Sequence, residues 1–470
     1  MTLVLRYVDK SGELIKRFLG IVYVSDTSAR SLQKAIYSLL EDHSLCLLKL
    51  CGQGYDDASN MQEEKNGLKS LILQDAPSAY CIHCFAHQLQ LALVALSRKH
   101  SDVKIFFYVV TNVLNTIGTS FKRRELLRQH QVEKLEELLK AGEIFTGQGL
   151  NQEPGLQRLG DTRWRSHFKN LENFMVIFSS IANVLKDMKE YYPLKLDRLA
   201  TGNLLDNIQE FEFVFILHLM FNILLFTNEL NKALQKKDQD FVNAMEFLNL
   251  AKIRLQKMRE SELESLMDDV YSFCGKHENV IPKMDDDYPR SKRKRSGISY
   301  LHHFHVEVFY AVIDLQLQEL NNRFDVVTSD LLLGMASLNH VDSFPNFGKN
   351  KTMKLAGYQL DSFIVYARQR DSKFLNLKGI KDLSIVMAKI KLDQTWSLVY
   401  LLVKLTLILP VATASVERAF SSMKLIKNDL RNRIGGEFLN GCLVCKIERK
   451  VFATISNDAI MDRFQRMNPH

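Results

Sequence analysis

The chain has 470 residues, of which 46% are hydrophobic, and a formal net charge of +8; that is enough apolar material for two to four domains with real cores. Seven cysteines, odd in number and irregular in spacing, do not form the pattern of a secreted disulfide framework and point to a reducing interior. The positive balance favours an anionic partner, but an ordinary 25% of charged residues keeps that argument mild.

Neither a membrane span nor a signal peptide is expected. The apolar segment from Leu398 to Leu409 is broken by Lys404 and stopped by Pro410, which reads as a buried helix. Arg6, Asp9 and Lys10 interrupt the first apolar stretch at the N-terminus.

In chain order, residues 2 to 8 have a strand pattern, Asp9-Lys10-Ser11-Gly12 a hairpin turn, and Phe18 to Val24 a second strand. Ser28 to Leu40 reads as a helix with Leu32, Ile36, Leu39 and Leu40 inward. A third strand is expected at Leu45 to Leu50, closing on Cys51-Gly52-Gln53-Gly54. Asp56 then stands at the C-terminal end of that strand, beside glycines that let backbone and ligand approach. It is either a functional carboxylate or the cap of the following turn.

A helix over 65 to 73 leads to a short strand, Tyr80 to His87, which runs into a helix from Gln88 to Leu96. Cys81, Cys84 and His87 combine a C-x2-C with a Cys-x2-His spacing. Thiolates and imidazole suit zinc. No second ligand pair follows at finger-like spacing, which favours packed thiols and a capping or hydrogen-bonded histidine. Residues 102 to 137 read as helical, with Phe106, Val109, Val113 and Ile117 on one face and a basic cluster at Lys122, Arg123 and Arg124. A loop over 141 to 160 ends in Asp161-Thr162-Arg163-Trp164. Arginine beside tryptophan can hold a phosphate and stack on a base, and equally can open a helix.

From 168 to 275 the pattern is mostly helical, with Leu171, Phe174, Ile177 and Ile181 inward and a helix apolar nearly all round from Phe211 to Phe221. Residues 276 to 300 read as a disordered, exposed basic linker containing Arg290, Lys292, Arg293, Lys294 and Arg295. That run is a nuclear import signal, a clamp on a nucleic-acid backbone, or a solvated loop. Helix resumes from Val306 to Phe324. After Pro410, Thr413 or Ser415 can cap a helix carrying Val416, Phe420 and Met423 on one face. Glu417 lies beside that stripe, off any obviously solvated surface. It pairs with Arg418 or Lys424, favours the helix dipole, or is aimed at an active site.

Five ordered blocks together resemble the hAT superfamily of transposase-derived proteins, in its zinc finger MYM-type or TTF-type branch. They are Gly52-Gln53-Gly54-Tyr55-Asp56 with Ala58 to Met61; His83 to His87; Asp161 to Trp164; Val306 to Tyr310 with Leu320 to Phe324; and Leu409 to Ser421. The resemblance implies an α/β plus α fold: a ribonuclease-H-like domain interrupted by a large all-helical insertion. The corresponding divisions are 1–167, 168–389, and a C-terminal hAT dimerisation region at 390–455 that also completes the catalytic fold.

In such proteins two aspartates and a glutamate hold two Mg²⁺ ions for strand cleavage and transfer. The resemblance assigns the second aspartate to Asp56 and the glutamate to Glu417. It places Arg163, Trp164, Cys84 and His87 near the same site, with roles in handling DNA. The first strand with its aspartate is expected to be missing, as is the N-terminal zinc finger, and Asp57 stands where the branch usually has glycine. The expectation is therefore a catalytically inactive, nuclear protein that associates with DNA and with itself, without a membrane. The alternatives are an active metal-dependent transposase, or a helical scaffold that does not bind DNA.

Overall fold

A computed structural model describes residues 1–55, 59–62, 66–140, 164–192, 195–236, 241–289, 297–337, 358–367, 374, 377, 379–409, 411, 414–428 and 431–467. Asp56, Asp57, Arg163 and the basic run from Arg290 to Arg295 lie outside them. The described chain is mostly helical, with two two-stranded sheets. By packing it divides into two units. One comprises Met1–Gln88, Ala233–Glu246 and Phe324–His470, the other Leu89–Lys232 and Phe247–Arg323. The divisions at 167 and 389 follow motifs, whereas these follow contacts.

The first unit is built on a hairpin. Strand β1, Thr2–Val8, pairs antiparallel with β2, Leu14–Ile21. Asp9 makes the turn: its Oδ1 accepts from the Ser11 and Glu13 amides, both at 2.9 Å, and from the Ser11 hydroxyl at 2.7 Å. Gly12 completes it at φ +83°, the left-handed region that favours glycine. This register starts and ends β2 earlier than the apolar run Phe18 to Val24 suggests.

Both faces of the hairpin are covered. Leu3 and Leu19 pack on a cluster of Leu32, Ile36, Leu40, Leu68 and Ile72. Val4 and Ile21 pack on the other side against Ala419, Leu439 and Leu443, with Phe18 buried among them. The alternation of Leu3 and Val4 between two cores is the period of two that a strand imposes. At the hairpin tip, Val8 and Leu14 meet a third cluster around Phe363, Met387, Val399 and Val403.

The outer edge of β2 is also occupied. Phe18 N donates to Glu448 Oε1 at 2.7 Å, and Ile21 N to Asn440 Oδ1 at 2.8 Å. Helix Gly436–Ile447 and the residue after it thus supply the acceptors that an edge strand otherwise takes from water or another chain.

Helix Ala29–Asp42 starts on Ser28, whose side chain accepts from Ser31 N, and buries Leu32, Ile36, Leu39 and Leu40 as its spacing predicts. The strand expected at Leu45 to Leu50 is a 3₁₀ turn, Leu47–Lys49, and the extended segment is β3, Gly52–Tyr55. Strand β3 pairs parallel with β4, Tyr80–His83. Pairing outweighs side-chain propensity here: Leu45, Leu47 and Leu50 pack on the first cluster from irregular backbone. Buried Gln53 secures the arrangement by donating to Ala79 O at 2.8 Å and accepting from Tyr55 Oη at 2.9 Å. The crossover to β4 carries helix Leu68–Asp75, as a parallel pair requires.

The second unit is helical. The segment expected to be helical over 102 to 137 forms two helices, Ser101–Gly118 and Phe121–Lys140. Phe106, Val109, Val113 and Ile117 are buried, as are Leu171, Phe174, Ile177 and Ile181. Helix Phe211–Leu234 is long and apolar enough by composition to cross a membrane, and 72% of that apolar window is buried inside the protein.

The segment 276–300 differs from the expected disordered linker wherever it is described. Asp287 bridges Ser299, Tyr288 N donates to Ile298 O at 2.8 Å, and Tyr300 N to Asp286 O at 3.0 Å. An edge-to-face contact of Tyr288 and Tyr300, with ring centres 5.3 Å apart, which a polar composition does not reveal, holds the ends. The helix expected from Val306 starts earlier, with an α-helical turn at Tyr300–His302, passes through a π-helical segment, His303–Tyr310, and continues as Ala311–Ser337.

Candidate functional site

The two motifs that carry the resemblance most strongly meet at the start of helix Phe85–Lys99. Cys84 N donates to Tyr55 O at 3.3 Å, and Phe85 N donates to Val411 O at 2.8 Å. Two consecutive amides therefore join the end of β3, immediately before Asp56, to the segment immediately before the helix of Glu417. The junction is dry. Cys84 is 2% exposed, Phe85 0% and Val411 1%. The Phe85 ring stands edge-on to Phe324 at 5.3 Å and to Phe241 at 5.7 Å.

Burial raises the pKa values of two titratable groups beside the junction. Desolvation pushes the Cys81 thiol up to about 11 and raises the Tyr55 hydroxyl well above its ordinary value. Cys81 and Cys84 are buried thiols, and His87 is half-buried on the helix.

Glu417 is placed differently from its sequence reading. Helix Ala414–Ile426 starts before Ser415, so Ser415 is inside it and does not cap it; Thr413 lies outside the described residues. Among the described residues of the helix Ala419 is buried, Met423 packs beside it, and Phe420 is 41% exposed. Glu417 is exposed in the first turn, a position that suits a negative charge at a helix N-terminus. The face chosen by the hairpin is thus rotated from the Val416, Phe420, Met423 stripe, because small Ala419 admits Phe18 closely.

The metal implied by the resemblance needs several carboxylates together. Among the described residues the group of three acidic, histidine or cysteine ligands that gathers is Asp102, Glu212 and His303, and Glu417 is not part of it. The described residues around Glu417 therefore do not make a two-metal site, and no metal-dependent step is derived there. Asp56 itself lies outside the described residues.

The remaining sites separate. Lys122 and Arg124 are exposed at the start of helix Phe121–Lys140, next to Phe121, which is 75% exposed. Arg123 is tied down: its Nε donates to Tyr192 Oη and its Nη1 to Thr116 O, each at 2.8 Å, and its guanidinium lies 5.1 Å from the Tyr192 ring centre. Trp164 is the first residue of helix Trp164–Val176. The roles of Val411, Gln53 and the Asp102, Glu212, His303 group have no signal in local spacing, since each depends on segments far apart in sequence.

The fold and this junction define a mainly helical protein whose N-terminal strands, helix and junction form a small α/β part. Residues 1–67 match the family model of the ZMYM1/FAM200 RNase-like domain, DUF4371. That match spans β1, β2, the first helix and β3, and supports an RNase-like, transposase-derived origin for this part of the chain.

Proposed function

We propose that the chain descends from a hAT-type transposase and acts in the nucleus as a DNA-associated, self-associating protein that does not cut DNA. The observation that carries the reading is the pair of amides at Cys84 and Phe85, which hold Tyr55 and Val411, residues of the two motifs that contain Asp56 and Glu417, at one buried junction. The RNase-like match over residues 1–67 supports the same descent. In this reading residues 1–167 and 390–455 form the RNase-like part, with residues 168–389 as its helical insertion.

The reading of lost cutting is supported by the exposure of Glu417 in the first turn of its helix. Asp56 and Glu417 are then remnants of a site that would take Mg²⁺ only if intact. DNA association rests on the exposed Lys122 and Arg124 beside an exposed aromatic ring, with Arg163 and Trp164 of the family motif, and Cys84 and His87 shaping the junction. Cationic side chains on phosphates make such binding salt-dependent. Arg290 to Arg295 serve nuclear import.

Self-association rests on the C-terminal helix Asn457–Met467, which presents Ile460, Phe464 and Met467 at helical spacing with 39%, 66% and 68% exposure.

The test is fluorescence anisotropy with duplex and branched DNA at two salt concentrations, together with a nicking assay in Mg²⁺ and in Mn²⁺. Salt-sensitive binding without nicking is expected. Robust cleavage that Glu417→Gln abolishes would overturn the inactive reading. Absence of salt-sensitive binding would favour a helical scaffold.

A further inference from the structure

The first turns of helices Ser101–Gly118 and Phe211–Leu234 and the first residue of the π-helical segment converge inside the second unit. One donor atom each from Asp102, Glu212 and His303 lies within 4.8 Å of the others. His303 is 4% exposed, and its Nε2 is a buried ring nitrogen without a hydrogen-bond partner. The nearest carboxylate oxygen, Glu212 Oε1, stands 3.9 Å away, too far for a hydrogen bond.

Groups behind these three fix their orientation. His303 Nδ1 faces Glu307 Oε2 at 3.0 Å. A proton held there leaves the Nε2 lone pair directed at the two carboxylates, the carboxylate–histidine arrangement that orients metal-bound imidazoles. Tyr288 stacks on the ring at 3.7 Å between centres and 11° between planes. Its hydroxyl donates to Glu212 Oε2 at 2.8 Å, leaving Oε1 toward the centre. Asp102 Oδ1 accepts from Ser101 Oγ at 2.8 Å, leaving Oδ2 for the same use. π-Turns of this kind widen a helix where side chains must be re-aimed, often at functional sites.

We propose that Asp102, Glu212 and His303 bind a divalent zinc-like ion, with Glu307 and Tyr288 as positioning residues. The donor set carries two negative charges and one neutral nitrogen. Ligands on a tetrahedral ion at about 2.0–2.2 Å are separated by roughly 3.4 Å. The 3.9 Å gap between Nε2 and Oε1 therefore closes with small side-chain motions. The imidazole favours zinc over magnesium, which prefers oxygen and water. Three protein ligands leave a fourth position for water or an anion, and the ion ties together three segments distant in sequence.

The chelator-treated full-length chain is titrated with Zn²⁺ alone by calorimetry, and its thermal unfolding is followed with Zn²⁺ and separately with Mg²⁺. One equivalent of Zn²⁺ per chain and an unfolding temperature raised by Zn²⁺ but not by Mg²⁺ are expected. Asp102→Asn, a half-buried isosteric change that leaves the fold intact by circular dichroism, should abolish that stoichiometric binding. Glu307→Gln should weaken it about 10- to 100-fold. Cys84→Ala should leave it unchanged, which separates this site from the Cys81, Cys84 and His87 motif. No stoichiometric Zn²⁺ binding, or binding kept in Asp102→Asn and lost in Cys84→Ala, would overturn the proposal.

Discussion

Phe85 N donates to Val411 O at 2.8 Å, joining residues on either side of more than three hundred positions of chain. The bond is buried, and the Phe85 side chain anchors it between Phe241 and Phe324. The RNase-like strands and the Glu417 helix therefore share a core, although nothing in their separate sequences requires it.

Removing the anchor tests that core. Phe85→Ala leaves a cavity in a fully buried site and should destabilise the protein by about 3–5 kcal/mol. A lowered urea midpoint for the first unit, reported by intrinsic fluorescence, would show it. A loss below about 1 kcal/mol would mean that the junction is not a packed core.

The hairpin tip makes a second, sharper test. A Cβ on Gly12 would stand 2.5 Å from Ser384 O, at a φ of +83°. Gly12→Ala should cost about 2–4 kcal/mol through combined backbone strain and overpacking. Gly118→Ala is the control, because nothing lies within 4 Å of that Cβ. It should be neutral or stabilising by up to about 1 kcal/mol, both changes being read by thermal unfolding.

Acid should loosen the second unit through His277. Its ring packs against Phe273 and Phe178, at 4.3 and 4.9 Å between centres. Burial, helped by Lys276 and Lys134, pushes its pKa down to about 4. The unfolded chain takes up this proton near pH 6.5, while the folded chain stays neutral until about pH 4. The unfolded state binds more protons in that window, so stability falls as pH drops through it and the loss levels off below. Allowing for partial solvent exposure, the loss is about 1–2 kcal/mol. Urea titrations at pH 7 and pH 5 should separate wild type from His277→Gln, whose curve is flatter. His218, shifted down by burial in the same cluster, adds to the trend in both proteins.

Self-association through the last helix is open to direct measurement. Light scattering across a concentration series should give a dimer for the wild type. Ile460→Glu with Phe464→Glu should give a monomer with an unchanged circular dichroism spectrum, since both side chains are exposed, and an unfolding temperature that no longer rises with protein concentration. A strictly monomeric wild type would refute the self-association.

Much of the local structure was legible in sequence. The Asp9 to Gly12 turn and the inward sets of helices Ala29–Asp42 and Ser101–Gly118 follow from spacing and turn chemistry, because each is decided within a few residues. The candidate site was legible only as motifs. Glu417 was read as lying off the solvated surface, whereas its helix turns Ala419 inward and leaves Glu417 and Phe420 out. That rotation is set by Phe18 and Leu439 from distant segments, which no helical periodicity encodes.

By itself the sequence determined which segments are helical, where the hairpin turns, and which motifs the chain carries, since short-range dihedral, capping and apolar-period rules govern these. Only the tertiary structure decided that Gly52–Tyr55 and not Leu45–Leu50 is a strand. It also decided that Cys84 and Phe85 bridge Tyr55 to Val411, and that Asp102, Glu212 and His303 converge. Strand pairing, buried hydrogen bonds and ligand clusters are completed by partners remote in sequence, and their geometry exists only once the cores that hold those partners have packed.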